Sequence, residues 1–261
     1  MFINYLTGFF VFLFGLCIGS FLNCVIYRLE QKQKITGRSF CPHCKTHLSW
    51  EDLFPVFSFL YLSGKCRYCR KKISLQYLIV ETATGIIFLI VFLFQAPSLN
   101  FQGLINLIFL FYTASVLITL FVYDLKYYII PDKVLLPAIC VTFILRIFLN
   151  FSSFPGFISA TLVSAGFFLL IFLVSKGRWM GFGDVKLAVL MGLLLGWPNV
   201  LVALFLAFFF GAIIGTIMMI FKGKNLKSEM PFAPFLIAGT FIALFWGQQI
   251  VQLYVRLFLN T

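Results

Sequence analysis

Apolar residues occur in eight long runs that are separated by shorter polar stretches. We predict one membrane-spanning helix for each run, at about 2–27, 77–95, 103–123, 134–150, 155–175, 185–197, 199–221 and 231–255. Runs such as 200–221 are apolar on every face, which excludes the alternating pattern of a membrane β-barrel. The expected fold class is therefore an all-α polytopic membrane protein with about eight transmembrane helices.

The composition agrees with this pattern. Of the 261 residues, 62% are apolar and only 11% are charged, against roughly 45–50% and 25% in soluble domains. The net charge of +12 comes from Lys and Arg that lie almost entirely between the apolar runs. Basic loops of this kind are typical of membrane proteins, so we expect a lipid bilayer around the helices and no nucleic-acid partner.

The basic loops also predict an orientation. Nearly all Lys and Arg lie in alternate loops, at 28–76, 124–133, 176–184 and 222–230. The positive-inside rule places these loops in the cytoplasm and both termini outside. The first 27 residues contain no Lys or Arg and so lack the basic region of a secretory signal peptide, which predicts a retained first helix.

The sixth predicted helix is shorter than a membrane requires. Between Asp184 and Pro198 it has only about 14 residues, which span near 21 Å at 1.5 Å per residue. We therefore expect its start to lie inside the membrane, where a polar cavity or a thinned bilayer lets water reach the preceding loop.

Two Cys-x-x-Cys pairs in the first basic loop predict a metal site. Cys41 and Cys44 form the first pair, and Cys66 and Cys69 form the second. This spacing is typical of a closed, structural four-thiolate zinc site, and the reducing cytoplasm disfavours disulfides. So short a module needs the metal in order to fold. The predicted domains are a first helix at 1–27, a cytoplasmic zinc module at 28–76 and a seven-helix membrane domain at 77–261.

Two aspartates at predicted helix ends are candidates for chemistry. Asp124 ends the third predicted helix, and Asp184 follows Gly181-Phe-Gly183 at the mouth of the sixth. Two carboxylates in a site of low dielectric constant share one proton, so one can activate water while the other polarises a peptide carbonyl. The glycines let the backbone turn sharply or approach a substrate. The structural alternatives are an N-cap for Asp184 and an ion pair with Lys126 for Asp124.

Two further acidic residues lie near predicted helix starts. Glu81 is about one turn inside the second predicted helix, where an ionisable side chain is costly and indicates function unless it reaches the membrane interface. Asp132 follows Pro131, and we expect it to act as the N-cap of the next helix.

These residues belong to an ordered set of motifs that extends over nearly the whole chain. The set comprises Gly19-Ser-Phe-Leu-Asn-Cys-Val-Ile-Tyr-Arg-Leu, the two Cys pairs, Asp124-Leu-Lys with Ile130-Pro-Asp, Gly181-Phe-Gly-Asp-Val-Lys-Leu and Pro231-Phe-Ala-Pro-Phe. The set resembles the type IV prepilin peptidases, which are membrane aspartic proteases with a Gly-x-Gly-Asp motif. One difference is Ala233, where the family often has glycine. We expect this change to touch neither aspartate.

The resemblance implies a bifunctional enzyme of the bacterial cytoplasmic (inner) membrane. Such enzymes remove the basic leader from type IV prepilins and pseudopilins after a glycine, at the cytoplasmic face. Many then methylate the new N-terminal amine with S-adenosylmethionine. By this resemblance Asp124 and Asp184 are the catalytic aspartates, and the four cysteines match the family's cytoplasmic cysteines.

Other residues are assigned to the site with less support from motifs. We predict that Gly181, Gly183, Lys126 and Lys186 support the active site. No glycine-rich Rossmann-type loop marks a site for S-adenosylmethionine. The candidates for that site are Glu81 and Gly85, and the sequence indicates no oligomeric state.

Three alternatives stay open at this point. A cleavage-only Gly-x-Gly-Asp membrane protease would have no evident use for the four-thiolate module. A cation transporter would place Asp124 and Asp184 near the middle of the bilayer, whereas both are predicted at one edge beside Lys126 and Lys186. A membrane-anchored zinc-ribbon adaptor would need the cysteines but neither aspartate.

Overall fold

The structure, a computed structural model, describes residues 2–95, 100–222 and 231–258. The α-helices within these ranges are α1 (Phe2–Glu30), α2 (Phe57–Tyr61), α3 (Leu75–Gln95), α4 (Phe101–Tyr127), α5 (Asp132–Leu149), α6 (Phe154–Ser175), α7 (Phe182–Leu195), α8 (Asn199–Lys222) and α9 (Ala233–Phe258). Short 3₁₀ helices occur at Trp50–Leu53 and Phe151–Ser153. The described residues form no strand beyond two isolated bridges, which confirms the all-α class.

Each apolar run forms one α-helix, as predicted, but the count of eight membrane spans is not confirmed. Among the described residues, six helices are long and apolar enough to cross a membrane, namely α1, α3, α4, α6, α8 and α9. Helix α5 carries charges at Asp132, Lys133 and Arg146, and α7 has only 14 residues. The chain is thus a multi-pass membrane protein. Its helices α5 and α7 differ from the six candidate spans, α5 by its charged residues and α7 by its short length.

The chain divides into two compact units, Met1–Thr119 and Leu120–Thr261. In the first unit α1 and α3 pack along each other through glycines. A Cβ atom added to Gly19 would lie 2.7 Å from the Cα of Glu81, and one added to Gly15 would lie 2.8 Å from the Cα of Gly85. Small residues let two membrane helices approach backbone to backbone, and here they hold Glu81 against α1.

In the second unit α7 is surrounded by protein. It packs against α5, α6 and α9, and most of its side chains are buried. At the α6 contact, a Cβ added to Gly192 would overlap the backbone of Thr161. Because neighbouring helices bury most of its side chains, α7 need not match the thickness of the bilayer.

The C-terminal end of α7 is held by a partly buried arginine of α5. The Arg146 guanidinium donates a hydrogen bond to the carbonyl of Leu193 at 3.1 Å and another to the carbonyl of Leu194. The last carbonyls of a helix have no partner within it, so Arg146 satisfies groups that burial would otherwise leave unpaired.

Candidate active site and metal site

Asp184 is the third residue of α7, in its first turn. The N-cap is Gly181, whose backbone is extended with φ −76° and ψ 151°, so the alternative that Asp184 is the N-cap is wrong. The Gly181 N–H donates a hydrogen bond to the Asp184 carboxylate. This is the half of a capping box in which the third helical residue reaches back to the N-cap, and it orients the carboxylate.

Gly183, directly before Asp184, packs against the loop that precedes α5. A Cβ atom added to Gly183 would lie 3.2 Å from the Cβ of Ile130. The absence of a side chain therefore lets the Ile130-Pro131 loop pack closely against the start of α7.

Asp124 lies in the last turn of α4, and its side chain is buried. Its carboxylate accepts a hydrogen bond from the backbone N–H of Ala233, the first residue of α9. The first N–H groups of a helix have no partner within it and favour a negative charge. The expectation that Ala233 touches neither aspartate is thus wrong, because the contact uses the main chain.

The proposed ion pair between Asp124 and Lys126 does not form, although both residues are described. The Lys126 ammonium instead lies 5.1 Å from the centre of the Tyr127 ring.

Asp124 and Asp184 interact electrostatically, and both are nearly buried, with exposures of 5% and 8%. Burial, and next the charge of Asp124, raise the pKa of Asp184 to about 7. An aspartate with this pKa carries its proton about half of the time at neutral pH. The arrangement can therefore present one protonated and one ionised carboxyl group.

Lys186, the fifth residue of α7, points to a different carboxylate. Its ammonium contacts both carboxylate oxygens of Asp132 at 2.8 Å, and this ion pair is partly exposed. Asp132 is the first residue of α5, and Pro131 is the N-cap. The predicted N-cap role of Asp132 is thus wrong. The ion pair joins the start of α5 to the start of α7, and the part of Lys186 in catalysis stays a prediction.

The four cysteines of the first unit form a cluster. Their Sγ atoms all lie within 4.8 Å of one another, and those of Cys41 and Cys69 are 3.9 Å apart. Tetrahedral zinc with Zn–S bonds of about 2.3 Å separates its sulfur ligands by roughly 3.8 Å. The donor set and its spacing therefore fit a zinc ion.

Each Cys pair closes the same kind of turn. The N–H of Lys45 donates to the carbonyl of Cys41, and the N–H of Arg70 donates to the carbonyl of Cys66. Both donor residues directly follow the second cysteine of their pair and have left-handed backbones, with φ 59° and 58°. The repeated geometry shows that local chain conformation places the ligands.

The cysteine thiols differ in their readiness to ionise. Hydrogen bonds from Thr46 lower the pKa of Cys44 to about 6, whereas burial raises the pKa of Cys41 to about 11. Because zinc binds thiolates, any thiol of the cluster that is still protonated would release its proton on binding the metal.

The regions that match known protein families include both the cysteine cluster and the two aspartates. Residues 13–95 match the model of the bacterial peptidase A24 N-terminal domain, and residues 111–216 match that of the type IV leader peptidase family. A prepilin leader peptidase/N-methyltransferase of Legionella pneumophila is 32% identical over 93% of this chain and 92% of its own length. The chain belongs to the type IV leader peptidase family.

Other members of the family are similar over the same extent. A prepilin leader peptidase/N-methyltransferase of Aeromonas hydrophila is 30% identical over 95% of this chain and 94% of its own length. That of Bacillus subtilis (strain 168) is 30% identical over 96% and 98%. No solved structure matches the chain.

Within the region matched by the leader peptidase family, Tyr127 is a candidate that the motifs do not mark. It lies three residues after Asp124 and hence on the same face of α4. Its hydroxyl is buried and has no hydrogen-bond partner among the residues that the structure describes. Buried polar groups are nearly always paired, so this hydroxyl is available to water or to a ligand. The helical spacing from Asp124 is the one signal in the sequence that indicates it.

The two candidates for an S-adenosylmethionine site lie in the contact between α1 and α3 of this family member. The Glu81 carboxylate accepts the N–H of Val56 at 2.7 Å and a hydrogen bond from Ser20. One turn later, a Cβ added to Gly85 would lie 2.8 Å from the side chain of Leu16. Contacts within the protein thus account for both residues, and the cofactor role stays a prediction.

Proposed function

We propose that this chain removes the basic leader from type IV prepilins and pseudopilins and then methylates the new N-terminal amine. The observation that supports cleavage best is the interaction of Asp124 with Asp184, two buried carboxylates from separate helices. The relatives' shared name, prepilin leader peptidase/N-methyltransferase, supports the substrate class and the second activity.

In the proposed mechanism the pair begins with one proton, on Asp184. Asp184 donates a hydrogen bond to the scissile carbonyl oxygen, and ionised Asp124 takes a proton from the attacking water. The N–H of Ala233 favours the ionised form of Asp124. As water adds to the carbonyl carbon, the proton of Asp184 passes to the carbonyl oxygen, which gives a neutral tetrahedral diol.

Collapse of the diol returns both groups to their first state. Asp124 gives the proton that it took from water to the leaving amine as the C–N bond breaks. Asp184 takes a proton from one diol hydroxyl as the C=O bond forms again. The products are a carboxylic acid on the leader and a free amine on the pilin, with the proton back on Asp184.

We place this reaction at the cytoplasmic face of the bacterial inner membrane, with both termini outside. Asp124 ends α4 and Asp184 begins α7, so both lie next to the basic loops at 124–133 and 176–184. A prepilin is itself an apolar helix with a basic cytoplasmic leader. Its scissile bond therefore arrives at the membrane depth of the aspartates.

Three of the four predicted supporting residues, Gly181, Gly183 and Lys186, act on the position of α7. Gly181 donates its N–H to Asp184, and Gly183 lets the loop at Ile130 approach. Lys186 joins α7 to the start of α5 through Asp132. Lys126 has no such link to α7, and its proposed part is the positive charge that it adds beside Asp124.

We propose that the four cysteines hold one structural zinc ion. Four thiolates complete a tetrahedral shell, so the metal has no open position for a substrate and supplies folding free energy instead. Methylation takes its methyl group from S-adenosylmethionine. Because Glu81 and Gly85 are used by contacts within the first unit, we assign no step of methyl transfer to them.

Mass spectrometry of a purified prepilin tests the proposal. The substrate is incubated in detergent with S-adenosylmethionine and either wild-type enzyme, Asp184→Asn or Glu30→Gln. Glu30 is an exposed carboxylate at the end of α1 that pairs only with its neighbour Gln31 among the described residues, so its variant is a matched control for loss of a charge.

We expect wild type and Glu30→Gln to give leader loss and one added methyl group, and Asp184→Asn to leave the substrate uncut. Cleavage by Asp184→Asn at the wild-type rate would contradict the aspartate pair. Leader loss without a methyl group would restrict the function to cleavage.

A further inference from the structure

The segment between the two Cys pairs presents a cluster of large apolar side chains. We define the interfacial segment as residues 50–61, which include the 3₁₀ helix Trp50–Leu53 and α2. Its exposed members are Trp50, Leu53, Phe54, Phe57, Leu60 and Tyr61. Trp50 is 71% exposed and Tyr61 is 84% exposed. Neither the aspartate pair nor the cysteine cluster uses these side chains, and contiguous exposed apolar groups mark an interaction surface.

Glu81 fixes the level of this segment relative to α3. Glu81 lies six residues beyond Leu75, the first residue of a candidate membrane span, or about 9 Å along the helix. Its carboxylate accepts the N–H of Val56 at 2.7 Å, and Val56 is the N-cap of α2. Helix α2 thus begins beside the first turns of a membrane helix. At this level Ile79 of α3 is 62% exposed, as a side chain that faces lipid would be.

The backbone at Val56 indicates that this placement is held firmly. Val56 has φ 62° and ψ −51°, the central conformation of a γ-turn, which is rare and strained, and the Phe57 N–H donates to the Pro55 carbonyl across it. Such a conformation persists only where neighbouring contacts impose it. The hydrogen bond to Glu81 and the burial of the preceding Pro55 are those contacts.

The charges around the segment complement an anionic surface. Exposed basic residues flank the second Cys pair, which follows α2, at Lys65, Arg70, Lys71 and Lys72. The neighbouring acidic residues Glu51 and Asp52 are both paired with Arg67 at 2.8 Å. Clusters of Lys and Arg beside a membrane helix attract anionic headgroups, and Trp and Tyr favour the headgroup level.

We propose that the interfacial segment inserts into the headgroup layer of an anionic phospholipid bilayer, and that Glu81 holds it at that depth. The exposed aromatic and aliphatic side chains enter the membrane, and the basic residues after α2 contact the lipid phosphates. This inference does not depend on the proposed function, because its test measures the depth of a side chain rather than cleavage or methylation.

Fluorescence of Trp50 tests the proposal on the full-length, zinc-loaded protein. Trp50 is made the sole tryptophan by changing Trp179, Trp197 and Trp246 to Phe. The protein is placed in nanodiscs of phosphatidylcholine and phosphatidylglycerol that carry bromine near the headgroup end of the acyl chains. We expect the brominated lipid to reduce Trp50 emission by about half and aqueous acrylamide to have little effect.

Variants separate insertion from a general effect of added charge. The double change Leu60→Asp and Tyr61→Asp is expected to abolish quenching by the brominated lipid. Ile35→Asp adds charge at an exposed apolar position of the same module outside the segment, and is expected to leave the quenching unchanged. Glu81→Ala, which removes the acceptor for Val56, is expected to lower the quenching, whereas Glu81→Gln keeps an acceptor oxygen and restores it.

Two results would overturn the proposal. Strong quenching of wild type by acrylamide alone would place the segment in water. Protection from both quenchers would mean that protein, such as a second copy of the chain, covers it. Zinc content shows whether the double Asp variant still folds. If it does not fold, the quenching of Trp50 in the otherwise unchanged protein alone decides whether the segment is inserted.

Discussion

The aspartate pair and the cysteine cluster hold their reactive side chains by opposite means. Asp124 and Asp184 come from α4 and α7, and helix packing together with backbone N–H groups positions them. The four cysteines lie on two short turns of one loop. From residue 31 to residue 74 that loop buries only Cys41, Pro55 and Cys66.

This difference separates the sources of stability in the two regions. The loop has almost no apolar core, so the proposed zinc ion would supply much of its folding free energy. The aspartate site needs no metal to assemble, but it depends on close contact between helices. Damage to one region should therefore leave the other largely intact.

The largest effect is expected from Asp124→Asn. In the proposed mechanism Asp124 takes a proton from water, so loss of its carboxylate should lower the rate of cleavage by about 10²- to 10⁴-fold. The double variant Asp124→Asn with Asp184→Asn should be no slower than either single variant, because the two groups act as a unit. Rates of leader removal and zinc content measure this, and loss of zinc in Asp124→Asn would break the separation between the regions.

Cys66→Ser tests whether damage to the cysteine cluster leaves the aspartate pair intact. Cys66 is one of the buried cysteines of the cluster, so we expect bound zinc to fall from the proposed one ion per chain to almost none and the loop to become sensitive to proteases. Cleavage of prepilin should persist, and methylation should suffer. Metal analysis, limited proteolysis and product mass measure these effects.

Cys140→Ser on α5 is the matched control, since Cys140 is exposed and lies outside the cluster. Full metal content in Cys66→Ser, or both activities unaffected, would show that the cluster is not the structural site inferred here.

Gly192→Ala should damage the aspartate site through packing alone. The added methyl group would lie 2.7 Å from the backbone nitrogen of Thr161, so α6 and α7 must move apart. We expect a loss of about 1–3 kcal/mol in the free energy of unfolding, with slower cleavage and unchanged zinc. Thermal unfolding in detergent measures the loss.

Gly166→Ala on α6 is the control, because a methyl group there meets no atom within 4 Å. Equal destabilisation by the two changes would mean that the α6 and α7 contact is not what limits stability.

A smaller and reversible effect is expected from pH. Burial, and next the charge of Asp124, raise the pKa of Asp184 to about 7, and in the proposed mechanism Asp184 must carry a proton to donate to the substrate. Raising the pH removes that proton, so kcat/KM for cleavage should fall above pH 7 and approach a tenfold loss per pH unit. A pH profile with zinc content followed in parallel measures this. A rate that rises through pH 8 would contradict the assignment of the proton.

Sequence reasoning was most successful where local spacing decides the structure. The Cys-x-x-Cys pairs predicted the cluster because the ligands follow one another on short turns. Apolar runs predicted the long helices because burial in lipid or protein requires them. The same runs predicted eight spans, a count that is not confirmed: six helices of the described residues are long and apolar enough to span a membrane, and the apolar side chains of α7 are mostly buried against other helices.

Sequence reasoning failed where a contact depends on the main chain or on distant packing. Ala233 reaches Asp124 through its N–H, which residue identity does not reveal. Asp132 was expected to cap α5, but Lys186, 54 residues further along, attracts its carboxylate. Such pairs form only once the helices have packed, so spacing along the chain could not indicate them.

Because Arg146 donates hydrogen bonds to the carbonyls of Leu193 and Leu194, it fixes the position of the C-terminal end of α7. Asp184 stands near the other end of the helix, so its direction is set by the number of residues between it and the arginine. Deleting one residue from α7 would turn the carboxylate by about 100° relative to that anchor. The length of this helix is therefore as much a property of the active site as the aspartate itself.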